Sequence, residues 1–366
     1  STAYADIPTC FSVAGQKLYC PVNYDGQFHG MVQTRFTLGN SYNIPAVRTL
    51  ALNGVKEFVP FAQKMGLSTI EDPDRYGLSL TLGGGEVKMV DMAVAFGVFA
   101  NSGIKQQLIS ILKVEDYKVK TLEKTEVQEG DRVLSVGTSY IISHILYDNN
   151  ARSAAFGTSS FLNVSGHPEV SVKTGTTNDK RDNWTIGYTP EVTTVVWVGN
   201  NDNTPMSAVA SGVTGASPIW NRIIKNALDK IEQGQMSGTG QDRLTHEHVW
   251  MPKPTDVVGT NICATTGTLP PNADEANPGC PTRFEFFLEE FPPLPPVALN
   301  RDVAVFNDTG MLASHDAAPE QIHTENKEVW EDPLGSLICL NCAPQTWSVT
   351  ITPSRLPRSQ SVSREP

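Results

Sequence analysis

Apolar positions along the chain follow helical or strand-like spacing up to about residue 232 and lose this regularity beyond it. Helical spacing begins at Val32 and runs through two segments to Gly66, a residue suited to a helix C-terminus. Residues 135–147 and 218–231 have the same spacing. Residues 86–101 are apolar almost all round, which predicts a helix buried on every side.

Three strand-like runs cover residues 170–176, 184–189 and 192–198. Only Thr189-Pro190-Glu191 separates the last two, so they are predicted to form an antiparallel hairpin. Alternation along the first run puts Lys173 and Gly175 on one face and Thr174 and Thr176 on the other. The pattern therefore predicts an antiparallel sheet with helices before and after it.

The remainder of the chain divides by composition. Residues 233–257 are rich in Gly, Ser, Gln and Thr and read as a linker after a domain of residues 1–232. Residues 258–291 form a small element bounded by cysteines. Residues 292–366 begin with a proline run, show little periodicity and are expected to be mostly irregular, with a disordered end.

Charge and composition exclude several classes of function. The formal net charge of −11 and the absence of a dense basic cluster argue against a nucleic-acid partner. An apolar fraction of 39% fits a globular core. No apolar run approaches about 18 residues, so no membrane span is predicted. No cofactor motif is present.

Cysteines and histidines leave some alternatives open. The local pairs Cys10/Cys20, Cys263/Cys280 and Cys339/Cys342 fit either disulfides in an oxidising compartment or reduced thiols. Prolines and glycines crowd the loop of the second pair, which favours a bridge there. The third pair has zinc or redox spacing without the matching context. His246 and His248 are interpreted as part of a solvated linker, and no metal site is predicted.

The strand around Lys173 carries candidate chemistry. Backbone N–H groups at a free strand edge can stabilise an oxyanion, and Gly175 lets a substrate backbone lie close. A lysine with threonine hydroxyls suits a substrate carboxylate. Upstream, Ser41-Tyr42-Asn43 fits a polar catalytic triplet, and it also fits a helix N-cap ahead of Pro45.

Longer stretches resemble a known family. Besides Lys173-Thr174-Gly175-Thr176, they are Asn23-Tyr24-Asp25-Gly26 with Phe28-His29-Gly30, Ser41 to Arg48, Leu82 to Val87, Val172 to Pro190, Val196 to Asp202 and Ser217 to Trp220. In this order, over residues 1 to about 232, the chain closely resembles the class A penicillin-binding proteins. The resemblance implies an α+β, β-lactamase/transpeptidase-like fold, with an antiparallel sheet flanked by helices.

The resemblance also implies a DD-transpeptidase that cross-links peptidoglycan, with stem peptides and β-lactams as ligands. Ser41 would relay a proton to the leaving amine, and Asn43 would hold the acyl side-chain amide. Lys173 would support Ser41, while Thr174 and Thr176 bind the substrate carboxylate beside Gly175. The Thr176 N–H would be one oxyanion donor. The implied location is the extracytoplasmic face of the bacterial membrane.

The family's nucleophile motif, Ser-x-x-Lys, is missing from its expected place before Ser41. Two later matches begin at Ser102 and Ser110, at a helix end and on a predicted strand. Neither offers the helical turn that would let the lysine amine reach the hydroxyl. We therefore expect a fragment truncated at its N-terminus, inactive alone, whose parent also carries a glycosyltransferase domain and a membrane anchor. We also expect the 192–198 strand to have an unpaired edge.

Other functions stay open beside the transpeptidase. A DD-carboxypeptidase differs mainly in using water as the acceptor. A β-lactamase would need a deacylating carboxylate, which nothing in the sequence marks. A wall-binding module without catalysis is the alternative from a different class, and the sequence upstream of Ser1 would discriminate between these readings.

Overall fold

Seven helices and sixteen strands make up the described part of the chain. The computed structural model describes residues 3–12, 18–177, 180–206, 214–236, 250–272, 279–296, 300–313, 317–342 and 350–353. The helices are Thr34–Gly39 (α1), Asn43–Asn53 (α2), Val55–Met65 (α3), Met89–Ala100 (α4), Val136–Tyr147 (α5), Ser153–Phe156 (α6) and Ala216–Glu232 (α7). Short 3-10 helices lie at Pro73–Arg75, Leu78–Leu82 and Pro319–Gln321.

The strands are short and pair in small sheets. They are Ala3–Asp6 (β1), Thr9–Ser12 (β2), Gly30–Gln33 (β3), Ile104–Lys105 (β4), Lys113–Glu115 (β5), Thr121–Lys124 (β6), Asp131–Arg132 (β7), Ser171–Thr176 (β8), Asp182–Tyr188 (β9), Thr193–Gly199 (β10), Val257–Cys263 (β11), Thr282–Leu288 (β12), Asn300–Phe306 (β13), Ile322–Glu331 (β14), Leu337–Cys339 (β15) and Thr350–Pro353 (β16). All the pairings are antiparallel except β16 with β2.

The sheet that carries Lys173 has the order β10-β9-β8. Lys173 lies opposite Ile186, and Gly175 lies opposite Trp184. The predicted hairpin is confirmed, with β9 joined to β10 through a tight turn. Within the described residues the outer edge of β10 has no partner strand, as the sequence predicted. The outer edge of β8 is open in the same way, which leaves the Lys173 strand accessible.

Helices cover both faces of this sheet. On one face α7 packs through Trp220, whose ring lies so close to Gly187 that an added Cβ would sit 2.2 Å from it. On the other face α4 and α5 surround Tyr188, which is fully buried and whose hydroxyl lies 2.8 Å from the Ser143 hydroxyl. Because directly opposed residues share a face, Lys173 and Ile186 lie on the side away from α7.

The helix predicted from residues 86–101 is present as α4, but the prediction that it is buried all round was wrong. Met89 is 43% exposed and Val90 is 50% exposed. The buried positions of α4 are Ala95, Val98 and Ala100. The exposed apolar positions lie in the first turn of α4, and the buried positions lie in its second half.

The C-terminal third is more ordered than expected. Beyond the proline run, β13, β14 and β15 form a three-stranded antiparallel sheet, so the expectation of a mostly irregular tail was wrong for these three strands. Most side chains of β14 are polar and exposed on both faces, which removes the alternation that marks a strand in sequence. The expected disordered end, which is the last dozen residues, lies outside the described residues.

The expected linker and Cys-bounded element also have structure. Residues 237–249, with His246 and His248, lie outside the described residues. Met251, near the end of the expected linker, is buried against α5, so this part of the linker is packed. The pair β11–β12 forms the core of the element at 258–291. The division into domains stays a prediction.

All six cysteines are paired in disulfides: Cys10–Cys20, Cys263–Cys280 and Cys339–Cys342. Cys339 and Cys342 therefore form a disulfide in the structure and are not available as zinc ligands. Among the residues described, no helix is long and apolar enough to cross a bilayer.

Candidate active site on the Lys173 strand

Two motifs that are far apart in sequence meet in the structure. The Lys173 ammonium donates to the Ser41 Oγ at 2.6 Å, across a separation of 132 residues. It also donates to the carbonyl of Thr174 at 2.7 Å. The Lys173 strand and the Ser41 triplet thus form one site. The sequence shows that both motifs exist, and it does not show that they meet.

The Lys173 amine is electrostatically unusual. Burial lowers its pKa to about 8, because removing a cation from water disfavours the charged form. Neither of its hydrogen-bond partners is a carboxylate that would restore the charge. An amine with a pKa near neutrality can exchange a proton with a neighbouring hydroxyl such as Ser41.

The edge of β8 presents backbone donors beside this pair. The N–H of Thr177 donates to the carbonyl of Asp182 at 3.1 Å, so these residues are a hydrogen-bonded pair of the ladder. Such pairs alternate, and the N–H groups of Thr174 and Thr176 therefore point away from β9 toward the open edge. The Thr174 carbonyl points the same way, because it accepts from Lys173.

The remaining residues of the strand motif leave room at this edge. A Cβ added at Gly175 would meet only the Trp184 Cβ, at 3.6 Å, which is ordinary contact. The Thr176 hydroxyl accepts from the Asn183 side-chain amide at 3.2 Å. Packing within the described residues therefore does not require a glycine at position 175.

Ser41 lies in the turn between α1 and α2 with φ of 61°, in the left-handed region. A serine in this region stores strain and keeps the conformation only when its surroundings hold it. The turn is closed by backbone hydrogen bonds from the Ser41 N–H to the Leu38 carbonyl (3.3 Å) and from the Tyr42 N–H to the Thr37 carbonyl (3.0 Å). The serine hydroxyl is thereby presented to Lys173.

The predicted helix cap was wrong in its residue. Neither Ser41 nor Asn43 caps α2 with its side chain. Instead Asn23 Oδ1 accepts from the N–H groups of Asn43 (2.8 Å) and Ile44 (3.4 Å). The Asn43 side-chain amide donates to the Val22 carbonyl at 2.8 Å. Pro45 does lie in the first turn of α2, as predicted.

Sequence reasoning also missed the residues behind this turn. Asp6, Asn23 and His29 form a hydrogen-bonded cluster that reaches the backbone of Asn43 and the ring of Tyr42. The resemblance had marked the stretch from Asn23 to Gly30 without assigning it a role. Asp6 is 0% exposed, and a buried carboxylate would have marked this cluster. The sequence alone does not show that burial.

One group elsewhere has metal-ligating residue types. Ligand atoms of His167, Asp229 and Glu232 lie within 4.8 Å of one another. The Asp229 carboxylate already accepts two hydrogen bonds from Lys225, at 2.9 and 2.7 Å, and its Oδ1 lies 2.9 Å from the His167 Nε2. The Lys225 ammonium already supplies positive charge to this carboxylate, and we assign no metal to the group.

Comparisons with known proteins show what the sequence and the fold are similar to. No protein-family model matches the chain. Penicillin-binding protein 1A of Neisseria lactamica is 29% identical over 254 residues, which are 66% of this chain and 31% of that protein. The crystal structure of penicillin-binding protein 1A from Haemophilus influenzae matches with a TM-score of 0.64 at 24% identity, covering 81% of this chain and 46% of that one. The PonA1 protein of Mycobacterium tuberculosis in complex with penicillin V matches with a TM-score of 0.51 at 22% identity, over 69% of each chain.

The fold and the sequence therefore relate this chain to the penicillin-binding proteins, and its fold is the one found in their solved structures. The relationship predicted from the sequence is confirmed, as is the α+β fold of antiparallel sheet and helices. The chain spans about a third of the length of the curated relatives that it matches, 31% for the Neisseria protein.

Proposed function

We propose that this chain belongs to a serine DD-transpeptidase that cross-links peptidoglycan, and that it forms the substrate-binding wall of the active centre. The observation that supports this most strongly is the 2.6 Å hydrogen bond between the Lys173 ammonium and the Ser41 hydroxyl. It joins the two triplets that the penicillin-interacting serine enzymes use together. The donors at the edge of β8 complete the same wall.

In this proposal a stem peptide ending in D-Ala-D-Ala lies along the open edge of β8. The Thr176 N–H stabilises the oxyanion that forms on the attacked carbonyl. The Thr174 and Thr176 hydroxyls bind the terminal carboxylate at the strand edge, and the positive charge of Lys173 attracts it. Gly175 lets the peptide backbone approach, which gives a reason for a glycine where packing requires none.

Proton transfer is assigned to the Ser41–Lys173 pair. When the acyl group leaves D-Ala, the departing amine takes a proton from the Ser41 hydroxyl, and Lys173 replaces that proton. A lysine with a pKa near 8 can donate and recover a proton at neutral pH. In this scheme Asn43 binds the acyl side-chain amide. One of its N–H groups donates to the Val22 carbonyl, and its second N–H and its carbonyl oxygen are the groups proposed to bind that amide.

The acylated serine is proposed to lie outside this sequence. Ser102 follows the end of α4 with φ of 53°, and Lys105 of its motif lies in β4. Ser110 precedes β5, and Lys113 of that motif pairs with Glu115. Neither serine shares a helical turn with its lysine, the arrangement in which the amine can deprotonate the hydroxyl.

Further features of the proposal follow from the related proteins. One relative was solved in complex with penicillin V, which supports β-lactams as ligands here. We propose an extracytoplasmic location beside the cell wall, where disulfides such as Cys10–Cys20 persist. The glycosyltransferase activity and membrane anchor expected for the parent protein remain proposals.

The test is acylation by a fluorescent penicillin. We expect no stoichiometric label on this chain alone, and a label on the protein from the longest reading frame that contains it. In that longer protein, Lys173→Ala should slow acylation by about 10²-fold or more, because proton transfer loses its partner. Ser102→Ala is the matched control and should acylate normally. A label on Ser102 or Ser110 in the chain alone would overturn the proposed role.

A DD-carboxypeptidase remains the nearest alternative, since its acyl-enzyme is released by water. Adding an amine acceptor such as a D-amino acid separates the two activities. A transpeptidase should give an amide product in proportion to the acceptor, while a carboxypeptidase should give only the hydrolysed peptide. A longer protein that binds stem peptides without any acylation would instead be a non-catalytic module that binds the cell wall.

A further inference from the structure

We propose that Asp6, Asn23 and His29 are positioning residues, which hold the Ser41 turn in the strained conformation that contacts Lys173. The three side chains form one network behind the turn and reach neither Ser41 Oγ nor Lys173 Nζ directly. The proposal rests on the proposed function only in assigning Ser41 and Lys173 to the active centre. Its geometry is independent of the reaction.

Asp6 is the base of the network. Its carboxylate is fully buried and accepts two hydrogen bonds from the Asn23 side-chain amide, at 2.9 and 2.8 Å. It also accepts from the His29 backbone N–H at 3.1 Å, and its Oδ2 lies 2.6 Å from the His29 Nδ1. Burial raises the pKa of Asp6, and the hydrogen bonds from Asn23 and His29 oppose that rise. Pairing of β1 with β3 places Asp6 opposite Gly30, so the carboxylate is anchored by the sheet.

Asn23 carries the anchoring to the start of α2. Its NH₂ group is held by Asp6 and by the Gln27 carbonyl at 2.8 Å. This leaves its Oδ1 aimed at the N–H groups of Asn43 and Ile44, which it caps. A cap supplied from 20 residues upstream fixes where α2 begins, and therefore where the preceding turn ends.

His29 holds the middle of the triplet. Its ring stacks on Tyr42 with centroids 3.9 Å apart and an interplanar angle of 15°. Its Nδ1 faces Asp6 and its Nε2 lies 3.1 Å from the Asp25 carboxylate, so the ring is fixed at both nitrogens. Tyr42 lies between Ser41 and Asn43, and the stacked ring limits the movement of the whole turn.

These contacts explain how Ser41 keeps a φ of 61°. A strained residue persists when its surroundings over-determine it, and here the cap at Asn43 and the stack at Tyr42 act on the two residues that follow it. If the network is lost, Ser41 can relax and its hydroxyl moves away from the Lys173 amine. More water then reaches Lys173, and the desolvation that lowers its pKa is relieved.

The experiment follows the titration of Lys173 by NMR in this chain, with lysine labelled by ¹³C at Cε. The Lys173 resonance is identified by its loss in Lys173→Arg. We expect Asp6→Asn and His29→Ala to raise the Lys173 midpoint by about one pH unit, a tenfold smaller ratio of free amine to ammonium. His29 is 26% exposed in its side chain, so its variant tests the proposal even where Asp6→Asn fails to fold.

Ser336→Ala is the matched control. Ser336 is buried and accepts a hydrogen bond at 2.6 Å from Arg48, which lies on α2, the helix that Asn23 caps. Ser336 itself lies in the C-terminal sheet region. This variant should lose stability and leave the Lys173 midpoint unchanged. Folded variants at Asp6 and His29 with an unchanged midpoint would overturn the proposal, since the network would then be structural only. Failure of penicillin acylation in the longer protein would overturn the proposed function and leave this titration result intact.

Discussion

Lys173 and Arg48 are both cations withdrawn from bulk water, Arg48 fully and Lys173 in part, and their partners differ. Arg48 is 0% exposed, pairs with Asp332, and donates to the Thr9 hydroxyl at 3.0 Å. Lys173 donates to a hydroxyl and a carbonyl, and within the described residues it pairs with no carboxylate. A fully paired cation keeps its charge and joins elements together, whereas a desolvated amine without a counter-charge moves toward neutrality and can transfer protons.

Arg35 belongs with Arg48 in this comparison. Its guanidinium binds Glu285 of β12 and Asp148 after α5, at 2.5 and 3.0 Å. Burial by itself would raise the pKa of Glu285, but the hydrogen bond and charge of Arg35, with those of Arg283, lower it to about 2. The two arginines thus attach C-terminal elements to the first helices, while the lysine stands at the open sheet edge. The presence of a carboxylate partner therefore distinguishes the two structural arginines from Lys173.

The largest effect is expected at Arg48. Arg48→Met or Asp332→Asn leaves the other charge buried and unpaired, and should lower the free energy of unfolding by about 3–5 kcal/mol. Urea unfolding at pH 7 measures this loss. Glu331→Gln, next in sequence and in an exposed pair with Arg301, is the control and should change stability by about 0.5 kcal/mol at most. Equal effects at the two positions would mean that burial does not distinguish these pairs.

A smaller and pH-dependent effect is expected at Glu285. In Glu285→Gln, Arg35 still has its ion pair with Asp148. The free energy of unfolding at pH 7 should therefore fall by about 2 kcal/mol. Because the folded pKa of Glu285 is depressed, its contribution is complete above the unfolded value of 4.5 and is lost as the pH falls toward about 2. The stability difference between wild type and variant, followed by urea unfolding from pH 7 downward, should shrink across that window. Exposed Glu290→Gln is the control and should change the stability at pH 7 by about 0.5 kcal/mol at most.

The smallest effect, and one of opposite sign, is expected at Lys173. Lys173→Met removes a desolvated ammonium without leaving a carboxylate unpaired, so at pH 7 it should be neutral or stabilising by about 1 kcal/mol. The folded pKa near 8 lies below the unfolded 10.5, so the unfolded state binds more protons between these values. Wild type should therefore gain stability relative to the variant as the pH rises through this range. A variant that is strongly destabilised at pH 7 would place Lys173 with the structural arginines.

The sequence predicted the elements with strong periodicity. The runs that became β8, β9 and β10 are rich in β-branched residues and lie between clear turns, and α7 has a continuous apolar stripe. Ser135 was the predicted start of α5, and its side chain does accept from the Thr138 N–H at 3.0 Å. Local patterns of this kind need no knowledge of distant residues.

What the sequence could not predict depends on distant contacts. The cap of α2 comes from Asn23, and the buried pair of Arg48 joins positions 284 residues apart. The strand β14 is polar on both faces because its sheet is largely exposed, so it lacked the alternation used to find β8. The motifs at Ser41 and Lys173 were recognised separately, but only the fold brings their polar atoms together.

The titration of Lys173 in the unmodified chain tests the central claim most directly. With ¹³C-labelled lysine, the resonance assigned by Lys173→Arg should titrate with a midpoint near 8, below the ordinary lysine value of 10.5. That result would establish an amine poised for proton transfer beside Ser41. A midpoint near 10.5 would contradict the account, because Lys173 would then be a permanently charged lysine like those on the surface.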